Sequence, residues 1–369
     1  MGSTPVTIGI IANPVSARDI RRVVANASNL QIADRVNIVL RLLTTLVSLG
    51  VERVLMMPDR GGIRAMLTRH VGREKNQHHQ FPVLEFLPME PTTTVQDTFL
   101  ATRLLQQAEV AVIIVLGGDG THRAVVKTLL QEGPLIPIAG LSTGTNNAFP
   151  DLREPTLTAM AVALYATGRI PAARALVHNK VLDVAINEGE RQDIALVDAV
   201  ISTERQVGAR ALWKTESLHS LYLTFADPQV IGLSAIGGLL QPIARTAPEG
   251  LMIELAPETP APSSRTATAA SSAPPAATAA PAVYLRAPIA PGMLRDVAIA
   301  RWQRMPADLP FPVSLAGGVV ALDGERELPF RSSDRVTLTL RQAVFTTVDV
   351  TQCLNEAAST GLFRHPLYS

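Results

Sequence analysis

The residues best suited to chemistry are Gly117-Gly-Asp-Gly-Thr121, which directly follow the apolar run 110–116 and precede a stretch where Val125, Val126 and Leu129 fall at helical spacing. At the carboxyl end of a parallel strand, the backbone N–H groups of a glycine-rich turn face outward. Without Cβ atoms in the way, a phosphate can approach them closely. An acid inside such a loop repels phosphate unless it holds a metal or takes a proton from an attacking hydroxyl. Asp119 therefore points to phosphoryl transfer more than to simple anion binding. The same five residues also suit an ordinary tight turn with Asp119 as a helix cap, and alone they favour neither reading. They lack the Lys-Ser/Thr ending of a Walker A loop and the G-x-G-x-x-G spacing of dinucleotide dehydrogenases, which demotes hydride transfer.

A second cluster, Ser142-Thr-Gly-Thr-Asn-Asn147, follows the apolar run 135–139 after one helix-length connection. Adjacent parallel strands would carry both loops to one edge of a sheet, where hydroxyls, amides and bare backbone suit a nucleotide. Asn13-Pro14, at the end of the first apolar run, offers a third piece of the same edge, although the pair alone reads as a turn. Other candidates are weaker. His78-His79 lies among Lys75, Asn76, Gln77 and Gln80 and reads as a solvated loop, while His122 beside the first loop adds a donor near a helix start. Arg18, Arg21 and Arg22 suit a solvated helix face, and no G-x-S-x-G elbow announces a hydrolase.

These loops need elements to hold them. Short β-rich runs at 6–12, 51–57, 82–87 and 110–116 alternate with helical patterns around Ile20–Ala27, Val36–Val47, 59–69 and 94–108, with Gly50 placed to end a helix. Residues 110–116 are apolar without alternation, as a strand covered on both faces should be, so 1–150 reads as a doubly wound α/β nucleotide-binding domain. After Gly168 the pattern changes. Runs at 181–186 and 194–201 flank the polar turn 187–192, and further short strands are expected at 222–225, 252–255, 283–286, 297–302, 313–315, 319–322 and 336–340. Residues 151–369 therefore read as a mainly β, sandwich-like domain. Its segment 256–282, almost wholly Pro, Ala, Ser and Thr, is expected to be a mobile loop.

The 369 residues suffice for two domains, and 33 Lys and Arg against 32 Asp and Glu leave a net charge of +1, no field for holding nucleic acid. The single cysteine, Cys353, rules out an intrachain disulfide and suits the cytoplasm. No apolar run approaches the ~20 residues of a membrane span, and the start lacks a signal-peptide pattern. Exposed sheet edges in a β-rich second domain suggest a homo-oligomer, dimer or tetramer.

Asn13-Pro14, Gly117-Gly-Asp-Gly-Thr121, Thr143-Gly-Thr-Asn-Asn147 and Asp323-Gly-Glu325 together resemble the ordered motifs of the NAD kinase and diacylglycerol kinase superfamily. Ile8-Gly-Ile-Ile-Ala-Asn-Pro14, Asp19-Ile-Arg-Arg22 and Gly232-Leu-Ser-Ala-Ile-Gly-Gly238 are most similar to its ATP-NAD kinase-like, acetoin catabolism protein X branch. The resemblance implies a Rossmann-like N-terminal domain, a β-sandwich-like C-terminal domain, and transfer of the ATP γ-phosphate to a hydroxyl with Mg²⁺. By that match Asp119 is the essential acid. Gly117, Gly118, Gly120, Thr121, Thr143, Gly144, Thr145, Asn146, Asn147 and Asn13 line the nucleotide site, and Asp323 and Glu325 serve Mg²⁺. Asp323-Gly324 equally suits a hairpin turn. Asn187-Glu188 has the letters of the pair that holds the dinucleotide in NAD kinases but falls in an expected hairpin turn. Phe225-Ala-Asp-Pro-Gln-Val230 stands where NAD kinases carry a Gly- and Thr-rich segment. NAD is thus one candidate acceptor for a small-molecule kinase. The alternatives are a non-catalytic nucleotide sensor and, from Asp-Gly-Glu, a lipid kinase, to which near-zero charge and 4% aromatic residues lend little interfacial support.

Overall fold

A computed structural model describes residues 5–14, 31–74, 81–131, 133–143, 147–203, 217–256, 282–324 and 326–364. Of these, the residues before Val181 and from Gln342 onward form one compact unit, and those of Val181–Arg341 form another.

In chain order the elements of the first unit are β1 (Thr7–Ala12), α1 (Ile32–Ser48), β2 (Arg53–Met56), α2 (Ile63–Glu74), β3 (Val83–Phe86), α3 (Val95–Gln107), β4 (Ile113–Gly117), α4 (Asp119–Gln131), β5 (Ile138–Ser142), α5 (Pro155–Ala166) and α6 (Ala172–Ala175). Five parallel strands run in the order β3-β2-β1-β4-β5. The order reverses between β1 and β4, which is where doubly wound sheets bind ligands. Every residue of β4 is buried, as its unbroken apolar run requires. The helices begin and end where local chemistry dictates. Asp34 closes a capping box on Gln31, Asp59 accepts from the Ile63 and Arg64 amides at 3.1 and 2.7 Å, and Thr94 caps α3. Gly50 follows α1 with φ +92°, a conformation that costs a side-chain-bearing residue more.

The chain continues through β6 (Leu176–Ile186), β7 (Arg191–Ala195), β8 (Asp198–Ser202), β9 (Leu218–Leu223), α7 (Ser234–Leu240), β10 (Glu249–Leu255), β11 (Val283–Ala290), β12 (Met293–Pro306), β13 (Pro310–Pro312), β14 (Gly318–Leu322), β15 (Arg326–Phe330), β16 (Val336–Val348) and α8 (Val350–Ser359). A seven-stranded antiparallel sheet, β11-β12-β10-β9-β8-β14-β15, makes up most of the second unit. One face packs through Tyr222, Met252 and Val320 against Leu182, Val184 and Leu338 of β6 and β16, giving the expected sandwich. Ile236 of α7 meets Leu223, Ile253 and Ile299 in the core on the other face.

Several expectations shift. The first unit runs beyond residue 150, because Ala159, Val162 and Ala163 of α5, together with Val350, Cys353 and Ala357 of α8, enter its core. The β-rich run 194–201 is two strands, β7 and β8, which break at Leu196-Val197 and lie in different sheets. No strand forms at 313–315; pairing occurs at β13 instead. The helical pattern around Ile20–Ala27, His78-His79 and the core of the 256–282 segment lie outside the described residues. β10 and β11, which flank that segment, both pair with β12. Among the described residues, no helix is long and apolar enough to cross a membrane.

Candidate functional site

Strand register places the motifs. Ala12 pairs with Leu116 and Gly117 with Ser142, so the segments after β1, β4 and β5 leave one edge of the sheet side by side. Asn13, the first residue beyond β1, donates from Nδ2 to Thr121 Oγ1 at 3.1 Å, and its own carbonyl accepts from the buried Arg35 guanidinium of α1. A Cβ on Gly117 would stand 2.6 Å from Thr121 Cβ, and one on Gly118 would stand 2.8 Å from Asn147 Oδ1. A side chain at Gly117 would displace Thr121 within the same loop, and one at Gly118 would displace the Asn147 amide of the second loop. Asn147 Nδ2 in turn donates to Ser142 Oγ at 2.8 Å.

Asp119 opens α4 and joins the two loops directly. Its Oδ2 accepts from the Ala148 amide at 3.0 Å and its Oδ1 from the Phe149 amide at 2.8 Å. These two bonds fix the orientation of the carboxylate. Asp119, Gly118, Asn13 and Asn147 are half-buried, whereas Gly117, Gly120, Thr121 and Thr143 are buried. Gly144, Thr145 and Asn146 lie outside the described residues.

In the second unit, Asp323 is 7% exposed and accepts from the amides of Leu196, at 3.0 Å, Val197, at 2.8 Å, and Asp198, at 3.2 Å. It closes the corner where the chain passes from β7 to β8. The turn itself is left-handed at Asp323 (φ +48°) and Gly324 (φ +70°), as an Asp-Gly hairpin turn requires. The Mg²⁺ role implied for Asp323 thus meets a carboxylate already committed to three backbone amides, and Glu325 lies outside the described residues. Among the described residues, no group of three or more His, Cys, Asp or Glu side chains is placed to hold a metal. Mg²⁺ accompanying ATP is compatible with this, since it is commonly held by substrate phosphates and one or two carboxylates.

Asn187-Glu188 belongs to a left-handed turn between β6 and β7. Asn187 Nδ2 donates to Asp334 at 3.0 Å and its Oδ1 accepts from the Arg335 amide at 3.0 Å. The Arg331 amide, Asn187 and Arg191 hold the Asp334 carboxyl below its usual range. The amide of Asn187 is thus part of the turn's own framework.

Sequence reasoning missed Arg35 and the amides of Ala148 and Phe149. Arg35 could have been found by spacing, since positions 35, 39, 42 and 46 share the buried face of α1. Main-chain donors leave no side-chain signature.

A parallel α/β unit with a glycine-rich acid loop at its switch point, together with an antiparallel sandwich, defines a protein of the NAD kinase and diacylglycerol kinase-like fold. A family model described as the ATP-NAD kinase N-terminal domain matches residues 8–170, and one for the acetoin catabolism protein X C-terminal domain matches residues 180–343. The chain is 53% identical over 360 residues to acetoin catabolism protein X of Cupriavidus necator, covering 97% of this chain and 94% of that protein. It belongs to the acetoin catabolism protein X family. Among solved structures it is similar to a diacylglycerol kinase from Bacillus anthracis str. Sterne, at 12% identity and a TM-score of 0.43 over 94% of this chain and 98% of that one.

Proposed function

We propose that the protein is an ATP-dependent kinase that transfers a phosphoryl group to a hydroxyl of a small molecule, with Asp119 as the essential acid. The observation that carries this reading is the convergence of both loops on one carboxylate, through the Ala148 and Phe149 amides. ATP, carried with Mg²⁺, supplies the phosphoryl group. The chain's own residues do the rest. Backbone N–H groups at Gly118-Asp119, with Asn147 beside them, receive phosphate oxygens, and Asn13 steadies Thr121 beneath. Asp119 accepts the proton as the acceptor oxygen bonds to phosphorus and the bond to ADP breaks.

The NAD ribose hydroxyl is the first acceptor to test, on the strength of the NAD kinase-like match over residues 8–170. The name of the Cupriavidus necator relative extends the reading to a role beside acetoin breakdown, for which no residue of the chain itself argues. Incubation with ATP, Mg²⁺ and NAD is expected to form NADP with the wild-type protein and not with Asp119→Asn. Equal rates from the two proteins would remove Asp119 from the mechanism.

A second reading, a nucleotide sensor without turnover, is favoured by one observation: Asn187, the residue with the letters of a dinucleotide contact, is engaged by Asp334 and Arg335. It requires thermal stabilisation by ATP with no phosphorylated product from NAD or any other hydroxyl offered.

A further inference from the structure

His122 is fully buried one turn after Asp119, and it touches both sides of the clamp that holds that acid. Its Nδ1 lies 2.9 Å from the Gly118 carbonyl oxygen, which also accepts from the Thr121 and His122 amides at 3.1 and 3.2 Å. A carbonyl can only accept, so Nδ1 carries the proton, which fixes how the ring is protonated on that side. The ring also packs on Phe149, with centroids 5.7 Å apart and planes inclined at 56°. Phe149 packs in turn on Phe345 of β16, at 5.8 Å, and its own amide donates to Asp119. On β5, a Cβ at Gly140 would come within 2.8 Å of Nε2, so glycine leaves the space the ring occupies.

We infer that His122 is a positioning residue for Asp119, acting through Gly118 on one loop and Phe149 on the other. Drawing three donors onto the Gly118 carbonyl turns that oxygen into the helix and fixes the peptide that leads into Asp119. Packing on Phe149 keeps its N–H aimed at Oδ1, so the carboxylate approaches the acceptor hydroxyl in one orientation. An ordinary helix-start residue would need neither burial nor a ring stacked on the opposite loop. The catalytic part of this inference rests on the kinase reading; the geometric part does not.

The test uses two substitutions in the full chain. His122→Phe keeps a ring against Phe149 but removes the donor, and His122→Asn keeps an N–H donor near the Nδ1 position with less bulk. Hydrogen exchange on nucleotide-free protein examines the geometry without any activity. His122→Asn, which loses the ring against Phe149, is expected to lose protection at the Ala148 and Phe149 amides while the β4 and β5 amides keep theirs, and His122→Phe is expected to keep most of it. Unchanged protection at Ala148 and Phe149 in His122→Asn, or loss spread evenly over β4 and β5, would overturn the inference. If wild-type protein phosphorylates a hydroxyl, His122→Phe is expected to lower kcat by about a hundredfold with little change in KM for ATP, the scale of a misplaced catalytic group. An unchanged kcat would overturn the inference, whereas absence of wild-type turnover would overturn the kinase reading and leave the exchange result to decide.

Discussion

At the scale of single residues, the site depends on what is missing as much as on what is present. Gly118 has no Cβ, and one added there would come within 2.8 Å of Asn147 Oδ1. Gly118→Ala is expected to displace the Asn147 amide from Ser142 and to cost about 1 kcal/mol, read as a lower urea midpoint and weaker Mg-ATP binding by calorimetry. Gly72, inside α2, meets nothing within 4 Å and serves as the contrast. There, alanine is expected to stabilise by about 0.5–1 kcal/mol, because glycine is the poorer helix former and no neighbour objects. If both substitutions behaved alike, the steric account of the first loop would be wrong. Asp119 and its glycines were legible because an acid in a glycine-rich loop after a buried strand is chemically unusual. Arg35 was not, because a polar residue on a helix reads by default as solvated, and His122 read only as a donor near a helix start. Only the packing shows that both are buried.

At the scale of elements, the parallel half was the easier to read. An apolar run without alternation has one stable destination, a strand covered on both faces, and once β4 and β5 are neighbours their loops must leave from the same edge. The β half was harder, because 194–201 carries a single polar residue, Asp198, too little to mark the point where the chain changes sheets. The corner at Leu196-Val197 is set from outside, by the Thr224 hydroxyl donating to the Leu196 carbonyl at 2.6 Å and by Asp323 on the amides. The latter gives an expectation that separates a structural from a metal role. Asp323→Ala leaves the amides of Leu196, Val197 and Asp198 without that acceptor, and losing such buried bonds costs about 1–3 kcal/mol. Unfolding in urea with EDTA present is expected to show that loss. A carboxylate serving only Mg²⁺ would leave the midpoint unchanged under the same conditions.

At the scale of the whole molecule, the chain closes on itself. α8, near its end, returns to the core of the first unit, where the Cys353 thiol donates to the Ala161 carbonyl at 3.6 Å, 192 residues upstream. Burial, with Asp349 nearby, pushes that thiol up to about 11, so little thiolate exists near neutrality and what exists is enclosed. Cys353 is expected to resist a disulfide reagent in native buffer and to react fully in guanidinium, at a rate that follows unfolding. Rapid native labelling would mean that α8 is not held as described. The more consequential claim concerns the other end of the same core: that two loops from neighbouring strands, drawn together on Asp119, make one triphosphate site. A crystal structure of the protein with Mg-ATP tests this most directly. The expected result is phosphate density within hydrogen-bonding distance of the Gly118 and Asp119 amides, with the second loop on the same phosphates and the Asp119 carboxylate beside the terminal one. Nucleotide bound elsewhere, with both loops bare at saturating ATP, would contradict the account.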